Sequence, residues 1–173
     1  QIENLVNEFS DFARMPKPLL KKNNLNEVIS DNIKLVNKFD DTIKIKLINH
    51  LSDNVIINFD YEQFNRLFFN LLKNSVESIQ EKGQKDSKNS KNIDIEIRQR
   101  RDYININLTD TGIGFKNKKT KDLIKPYFTT KEKGTGLGLS IVNKILNDHN
   151  SKINFIKQKI GAKIVINFSR NGN

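Results

Sequence analysis

The sequence predicts an α+β fold, a two-layer α/β sandwich in which a mixed sheet is covered by helices and preceded by a short helix. Three observations carry that expectation. A long amphipathic segment runs from Tyr61 to Glu81, with Phe64, Leu67, Phe68, Leu71, Leu72 and Ile79 recurring at helical spacing. Short β-branched segments come as adjacent pairs, Ile93–Arg98 with Tyr103–Leu108 and Lys152–Lys157 with Ala162–Phe168. Strands and helices do not alternate as they do in βαβ proteins.

The elements follow in order. Ile2, Leu5, Val6, Phe9 and Phe12 make an apolar stripe over residues 1–15, which Pro16 and Pro18 bring to an end because proline has no N–H to continue a helix. One short helix cannot hide such a stripe alone, so it reads either as the tail of a helical hairpin or as a helix docked on its own domain. Residues 16–24 read as a linker, and residues 25–170 as the main domain. Asn24 is placed to cap a helix over Leu25–Phe39, and Ile43–Ile48 and Val55–Phe59 have strand composition. The polar run Lys82–Asn92 is an exposed loop, and Phe115–Lys133, rich in lysine and weakly patterned, a long lid-like loop. Leu137–Asn147 is helical, and the closing hairpin turns near Gly161. No internal repeat is visible.

At 173 residues and a net charge of +10, the chain fits one principal domain with a short appended segment. It holds no cysteine, so disulfides and thiolate metal sites are excluded. No apolar run reaches the roughly 20 residues that span a bilayer. The positive charge invites a nucleic-acid reading, but the lysines form no single stripe and no aromatics interleave with arginine. No nucleic-acid partner is therefore expected. The chain starts at Gln1 and is expected to be a piece of a longer protein.

Three motifs carry the chemistry: N-L-L-K-N at Asn70–Asn74, D-T-G-I-G at Asp110–Gly114 and G-T-G-L-G at Gly134–Gly138. Asn70 and Asn74 lie one helical turn apart, with Glu77 next along that edge, and an amide oxygen is a neutral hard ligand suited to Mg²⁺. Taken alone, they fit a wet helix face equally well. A carboxylate at Asp110 accepts hydrogen bonds and donates none, which suits an adenine amine and opposes guanine's carbonyl. Gly112 and Gly114 let a flat base lie against the backbone, although Asp-Thr-Gly is also a common turn. Gly134, Gly136 and Gly138 precede a helix whose N-terminal amides attract phosphate, with Lys131 and Lys133 upstream as candidate point charges or plain surface lysines. No G-x-x-x-x-G-K-[ST] string occurs, so the site is not a P-loop.

In this order, and with P-Y-F-T-T-K at Pro126–Lys131 between the last two, the motifs resemble the N, G1, F and G2 boxes of the ATP-binding domain of two-component sensor histidine kinases. The resemblance covers about Asn24–Phe168. The opening Asn7–Pro18 (N-E-F-S-D-F-A-R-M-P-K-P) is similar to the exit of the dimerisation hairpin in nitrogen-regulation, NtrY-like sensors. It implies a Bergerat (GHKL) fold, shared with gyrase, chaperone and mismatch-repair ATPases, with ATP and Mg²⁺ as ligands. Transfer of the γ-phosphoryl group to a histidine on a hairpin absent from this chain is implied, and then relay to a response-regulator aspartate. The implied partners are that hairpin and a receiver domain, the full-length protein being a homodimer whose cytoplasmic portion this is, behind a membrane anchor.

The implied catalytic residues are Asn70, Asn74 and Lys131, with Asn74 the metal ligand. The implied nucleotide contacts are Asn70, Asn74, Glu77, Asp110, Gly112, Gly114, Phe128, Thr130, Lys131, Gly134, Thr135, Gly136, Leu137 and Gly138, with Phe128 in the lid hinge. Two departures stand out. Many such kinases have a basic and an aromatic residue where Glu77 and Ser78 stand. His149-Asn150-Ser151 replaces a frequent His-Gly-Gly, with Asn150 able to take the left-handed cap conformation and His149 a structural cap. Neither His50 nor His149 has the acidic helical setting of a phosphoacceptor. The alternatives are an ATP-gated conformational ATPase of the gyrase or chaperone type, which would need a glutamate at position 70, and a serine kinase of the same superfamily, which the hairpin-like Asn7–Pro18 opposes.

Overall fold

The structure, a computed structural model, describes residues 6, 9–10, 12–51, 55–83, 90–115, 120–129 and 134–169. Its strands are β1 (Lys21–Asn24), β2 (Lys44–Asn49), β3 (Ile56–Phe59), β4 (Asn92–Gln99), β5 (Tyr103–Asp110), β6 (Lys152–Lys157) and β7 (Ala162–Ser169). Its helices are α1 (Leu25–Val36), α2 (Tyr61–Gly83), the short α3 (Thr120–Leu123) and α4 (Gly138–Asp148). Five strands form one sheet in the order β2-β4-β5-β7-β6, and β1 pairs with β3 in a separate ribbon. Only β2 and β4 run parallel, so the sheet is mixed as expected.

Period-two alternation decides which side chains enter the core. Ile93, Ile95 and Ile97 of β4, Ile104, Ile106 and Leu108 of β5, and Ile164, Ile166 and Phe168 of β7 share one buried face. The apolar stripe of α2 belongs to the same core, together with Ile141, Val142 and Ile145 of α4. The other sheet face carries asparagine, lysine and acidic residues, as a sheet covered on one side should. Asp110 obeys the same alternation. It is the last residue of β5, on the buried face, rather than a turn residue after the strand.

The sequence reading differs from the structure at several element boundaries, and the stretch Phe115–Lys133, read as a loop, contains the short α3. α1 opens at Asn24 as expected, the Asn24 side chain accepting from the Asn26 N–H at 3.0 Å. It closes at Val36, not Phe39, because residues 37–39 form turns. The stretch 16–24, read as linker, contains β1, whose Lys-Lys-Asn-Asn has no apolar period and becomes a strand only by pairing with β3. In the polar loop, helix α2 continues to Gly83 and β4 begins at Asn92, while 84–89 lie outside the described residues. Of the N-terminal stripe, Ile2 and Leu5 are also outside them. Phe12 packs on the core, whereas Val6 and Phe9 are exposed, so this helix leaves part of its stripe uncovered.

Candidate functional site

One cleft gathers the motifs. Its walls are α2, the end of β5 with the turn that follows, the start of β7, and the glycine-rich segment leading into α4. Of the sequence-predicted residues, Asn70, Asn74, Glu77, Asp110, Gly114, Phe128, Gly134, Thr135, Gly136 and Gly138 line it. Gly112 stands just behind, against Ser78, and Leu137 is fully buried in the core, so neither forms the wall. Thr130, Lys131 and Lys133 lie outside the described residues.

Asp110 closes one end and is 3% exposed. Its Oδ1 accepts from the backbone N–H of Gly112 at 2.9 Å and of Ala162 at 3.3 Å, and its Oδ2 from the Ser75 hydroxyl at 3.1 Å. Burial pushes the carboxyl above the ordinary carboxylate range, and these three hydrogen bonds and the nearby Lys82 charge pull it back. The surrounding backbone is interlocked. Gly161 has φ +69°, and a Cβ there would strike the Asp110 carbonyl, so the β6–β7 turn demands glycine to seat Asp110.

At the other end stands the N-terminus of α4, which no side chain caps. Its first N–H groups have no helical partner, and Gly138 and Leu139, which carry two of them, line the cleft. The approach of α2 is close: a Cβ at Gly138 would lie 3.2 Å from Asn70 Oδ1 and 3.7 Å from Asn74 Nδ2. Asn70 donates its Nδ2 to the Arg66 carbonyl at 2.8 Å, which leaves Oδ1 turned toward Gly138. A hard cation would therefore meet the Asn70 amide oxygen at this place, where Asn74 turns its Nδ2. Among the described residues no cluster of three His, Cys, Asp or Glu side chains offers another cation site.

Sequence reasoning missed several wall residues. Ser75, Ile113, Phe115, Leu123, Leu139, Ala162 and Ile164 line the cleft, contributing small, apolar or backbone groups that no motif announces. Lys73 lines it too and pairs with Glu77 at 4.0 Å, so α2 does present a cation there, one turn before the position where a basic residue was missed. That lysine is the fourth residue of N-L-L-K-N and was legible. His149 is elsewhere. Its ring is 3% exposed, Nδ1–H donates to the Ile145 carbonyl at 2.7 Å, and Nε2 accepts from the Asp60 N–H at 3.1 Å. His50 contacts Glu96 at 2.8 Å, beside Arg98.

Residues 59–171 match the family described as histidine kinase-, DNA gyrase B- and HSP90-like ATPase. The chain belongs to that family. Within it, the likeness is to histidine kinases. The nitrogen regulation protein NtrY of Azorhizobium caulinodans is 32% identical over 152 residues, covering 88% of this chain and 19% of that protein. A putative NtrY-like sensor histidine kinase of Rickettsia felis is 32% identical over 168 residues, covering 96% of this chain and 27% of the relative. The chain thus spans about a fifth to a quarter of the curated relatives it matches. The crystal structure of full-length ShkA in complex with AMPPNP aligns with a TM-score of 0.80 at 17% identity, over 99% of this chain and 37% of that one, which establishes the fold. The chain is a catalytic ATPase domain of the histidine-kinase kind, with the GHKL fold that its motifs imply. No helix among the described residues is long and apolar enough to cross a membrane.

Proposed function

We propose that this domain binds Mg-ATP in the cleft and presents its γ-phosphate to a histidine on a helical hairpin of the same protein. The observation that carries the reading is the pairing, in one cleft, of a buried carboxylate at one end with an uncapped helix N-terminus at the other. Asp110 would accept from the adenine amine, and Gly114, Phe128 and Ile113 would border the base. The amides that open α4, with Gly134, Thr135, Gly136 and Gly138, would meet the phosphates. Thr130 and Lys131 are assigned to the same end, Lys131 as a point charge. Leu137 and Gly112 would act by holding the glycine turns in place, since neither lines the cleft. The neighbour solved with AMPPNP is a protein of the same fold holding an ATP analogue.

Asn74, with Asn70 beside it, would hold the Mg²⁺, consistent with neutral oxygen donors that leave the remaining ligands to water and phosphate. Bound there, the ion would neutralise charge on the transferring phosphoryl group. The chain's own part is to bind, orient and enclose. Glu77 would keep Lys73 over the cleft. Asn70 in place of a glutamate opposes a hydrolytic, gyrase-like use of the fold, because an amide cannot serve as a general base.

The remaining assignments follow from this reading. Residues 1–15 are the tail of the dimerisation hairpin, 16–24 the connection, and 25–170 the catalytic domain. The acceptor histidine is on the hairpin and not in this chain. His149 has both ring nitrogens engaged in hydrogen bonds, and His50 is tied to Glu96. A response-regulator receiver domain takes the phosphoryl group next, in a homodimeric protein whose catalytic part is cytoplasmic.

Calorimetric titration of Asn74→Ala with and without EDTA tests the metal assignment. The variant should lose about 1–3 kcal/mol of Mg-ATP affinity and little without the metal, and equal losses in both would sink it. For transfer, the domain is mixed with radiolabelled ATP and a separately supplied hairpin from the same protein. Acid-labile label should appear on the hairpin and vanish when its histidine is replaced. Label on His50 or His149 of the domain alone would contradict the division of labour.

A further inference from the structure

We propose that Ser75 is a positioning residue of the base pocket: by donating its hydroxyl to Asp110 Oδ2, it fixes which carboxylate lone pair is left for a purine amine and so sharpens the choice of adenine over guanine. The inference rests on the reading of Asp110 as the base acceptor. An ionised carboxylate offers about four acceptor sites. At Asp110, Oδ1 takes two N–H groups, from Gly112 and Ala162, and Oδ2 takes the Ser75 hydroxyl. One acceptor site remains, on Oδ2 beside Ser75, and the neighbouring hydroxyl has already spent its proton.

The arrangement is built rather than incidental. Ser75 is 2% exposed and Asp110 3%. One turn further along α2, the Ser78 hydroxyl accepts from the Ile113 N–H at 3.0 Å, so two serines on one face of α2 hold both sides of the Asp110–Ile113 segment. The charged groups around Asp110 come from α2: Lys82, whose ammonium donates to the Thr111 carbonyl at 2.8 Å, and the Lys73–Glu77 pair on the cleft wall. β7 and the 111–114 turn supply backbone N–H groups. Without the Ser75 hydroxyl, Oδ2 has two open acceptor sites in a buried place. The economical response is to take up a proton, and a protonated Asp110 donates. A donor suits guanine's carbonyl and no longer suits adenine's amine.

The test titrates ATP and GTP onto the wild type, Ser75→Ala and Ser75→Cys from about pH 5.5 to about 8, with thermal melts as a folding control. Comparing variant with wild type at each pH cancels the ionisation of the ligand. Ser75→Ala should lower the ATP-to-GTP affinity ratio about tenfold, the deficit growing toward acid. Ser75→Cys, nearly the same shape but a poor donor, should follow the alanine variant. An unchanged ratio at every pH, an equal loss for both nucleotides, or a cysteine variant that behaves as wild type would each overturn the proposal. Asp110→Asn is measured alongside. If it too leaves the ratio intact, the base-acceptor reading itself falls; if it collapses the ratio while Ser75→Ala does not, Ser75 alone is refuted.

Discussion

Asp110 and His149 are buried to the same degree, each 3% exposed, and burial works against the charged form of both. They sit at different junctions, Asp110 where β5 and β7 meet α2, His149 where α4 ends against the start of α2. The difference lies in the hydrogen-bond count. His149 has two ring nitrogens and both are engaged, with its ring edge-on to Phe64 at 4.9 Å. Nothing is left over for a ligand. Asp110 keeps one acceptor site open and opens onto a cleft. A buried polar group whose capacity is used up is holding the fold, whereas one with capacity to spare at a cavity wall is placed for something outside the chain.

His149→Ala attacks the saturated junction and should have the largest effect. It strips the imidazole donor from the Ile145 carbonyl, which keeps the backbone N–H of residue 149 at 3.1 Å, leaves the Asp60 N–H without its ring acceptor, and opens a hole beside Phe64 and Phe168. The combined cost is about 3 kcal/mol of stability. Urea unfolding should show it, while ATP affinity of the folded protein stays within about twofold of the wild type. A loss of affinity comparable to the loss of stability would mean that His149 serves the site and the contrast with Asp110 fails.

Asp110→Asn probes the unsaturated group and should do the reverse. Losing a charge-assisted bond to the base should cost about 2 kcal/mol of ATP affinity. Stability should hold or rise, because the buried charge that burial disfavours is gone. The amide oxygen still accepts from Gly112 and Ala162, and the Ser75 hydroxyl can turn to accept from the new NH₂. Calorimetry and a thermal melt on the same sample check both halves. A drop in melting temperature of several degrees would make Asp110 a structural residue like His149.

Both junctions were partly legible in the sequence, for a physical reason. Patterns that depend on neighbours in the chain survive reading. The Tyr61–Glu81 stripe became α2, both late hairpins formed, and the alternation Ile104, Ile106, Leu108 already points the next residue of that phase, Asp110, inward. His149 as a helix cap was readable from the ending of α4, and Asn150 does adopt positive φ, at 51°. What depends on distant partners did not survive. β1 exists because β3 lies beside it, the parallel β2–β4 pairing joins segments far apart in sequence, and Asp60 as the second partner of His149 is 89 residues away. Ser75 and Ala162 were invisible for another reason. They act through a small hydroxyl and a backbone N–H, which leave no mark in a motif.

The smallest effect, and the sharpest use of the comparison, is in the pH dependence of stability. His149 has its pKa lowered in the fold, so the unfolded chain binds the proton more readily. Its contribution is complete above the unfolded value of 6.5 and is lost as the pH falls toward the folded one. Asp110 has its pKa raised, so its contribution is complete below the unfolded value of 3.8 and is lost as the pH climbs through the folded one. Glu96, pushed down to about 2 by Arg98 and His50, begins to lose its contribution only as the pH nears its unfolded value of 4.5, and that loss is common to the wild type and the variants. Urea midpoints of the wild type and His149→Gln between about pH 5 and 8 should therefore converge in acid. The wild type falls toward the His149→Gln curve as the unfolded chain takes up the imidazole proton. If the gap to His149→Gln keeps a constant width down to about pH 5, the ring is not held neutral by the fold, and the saturated half of the contrast is lost.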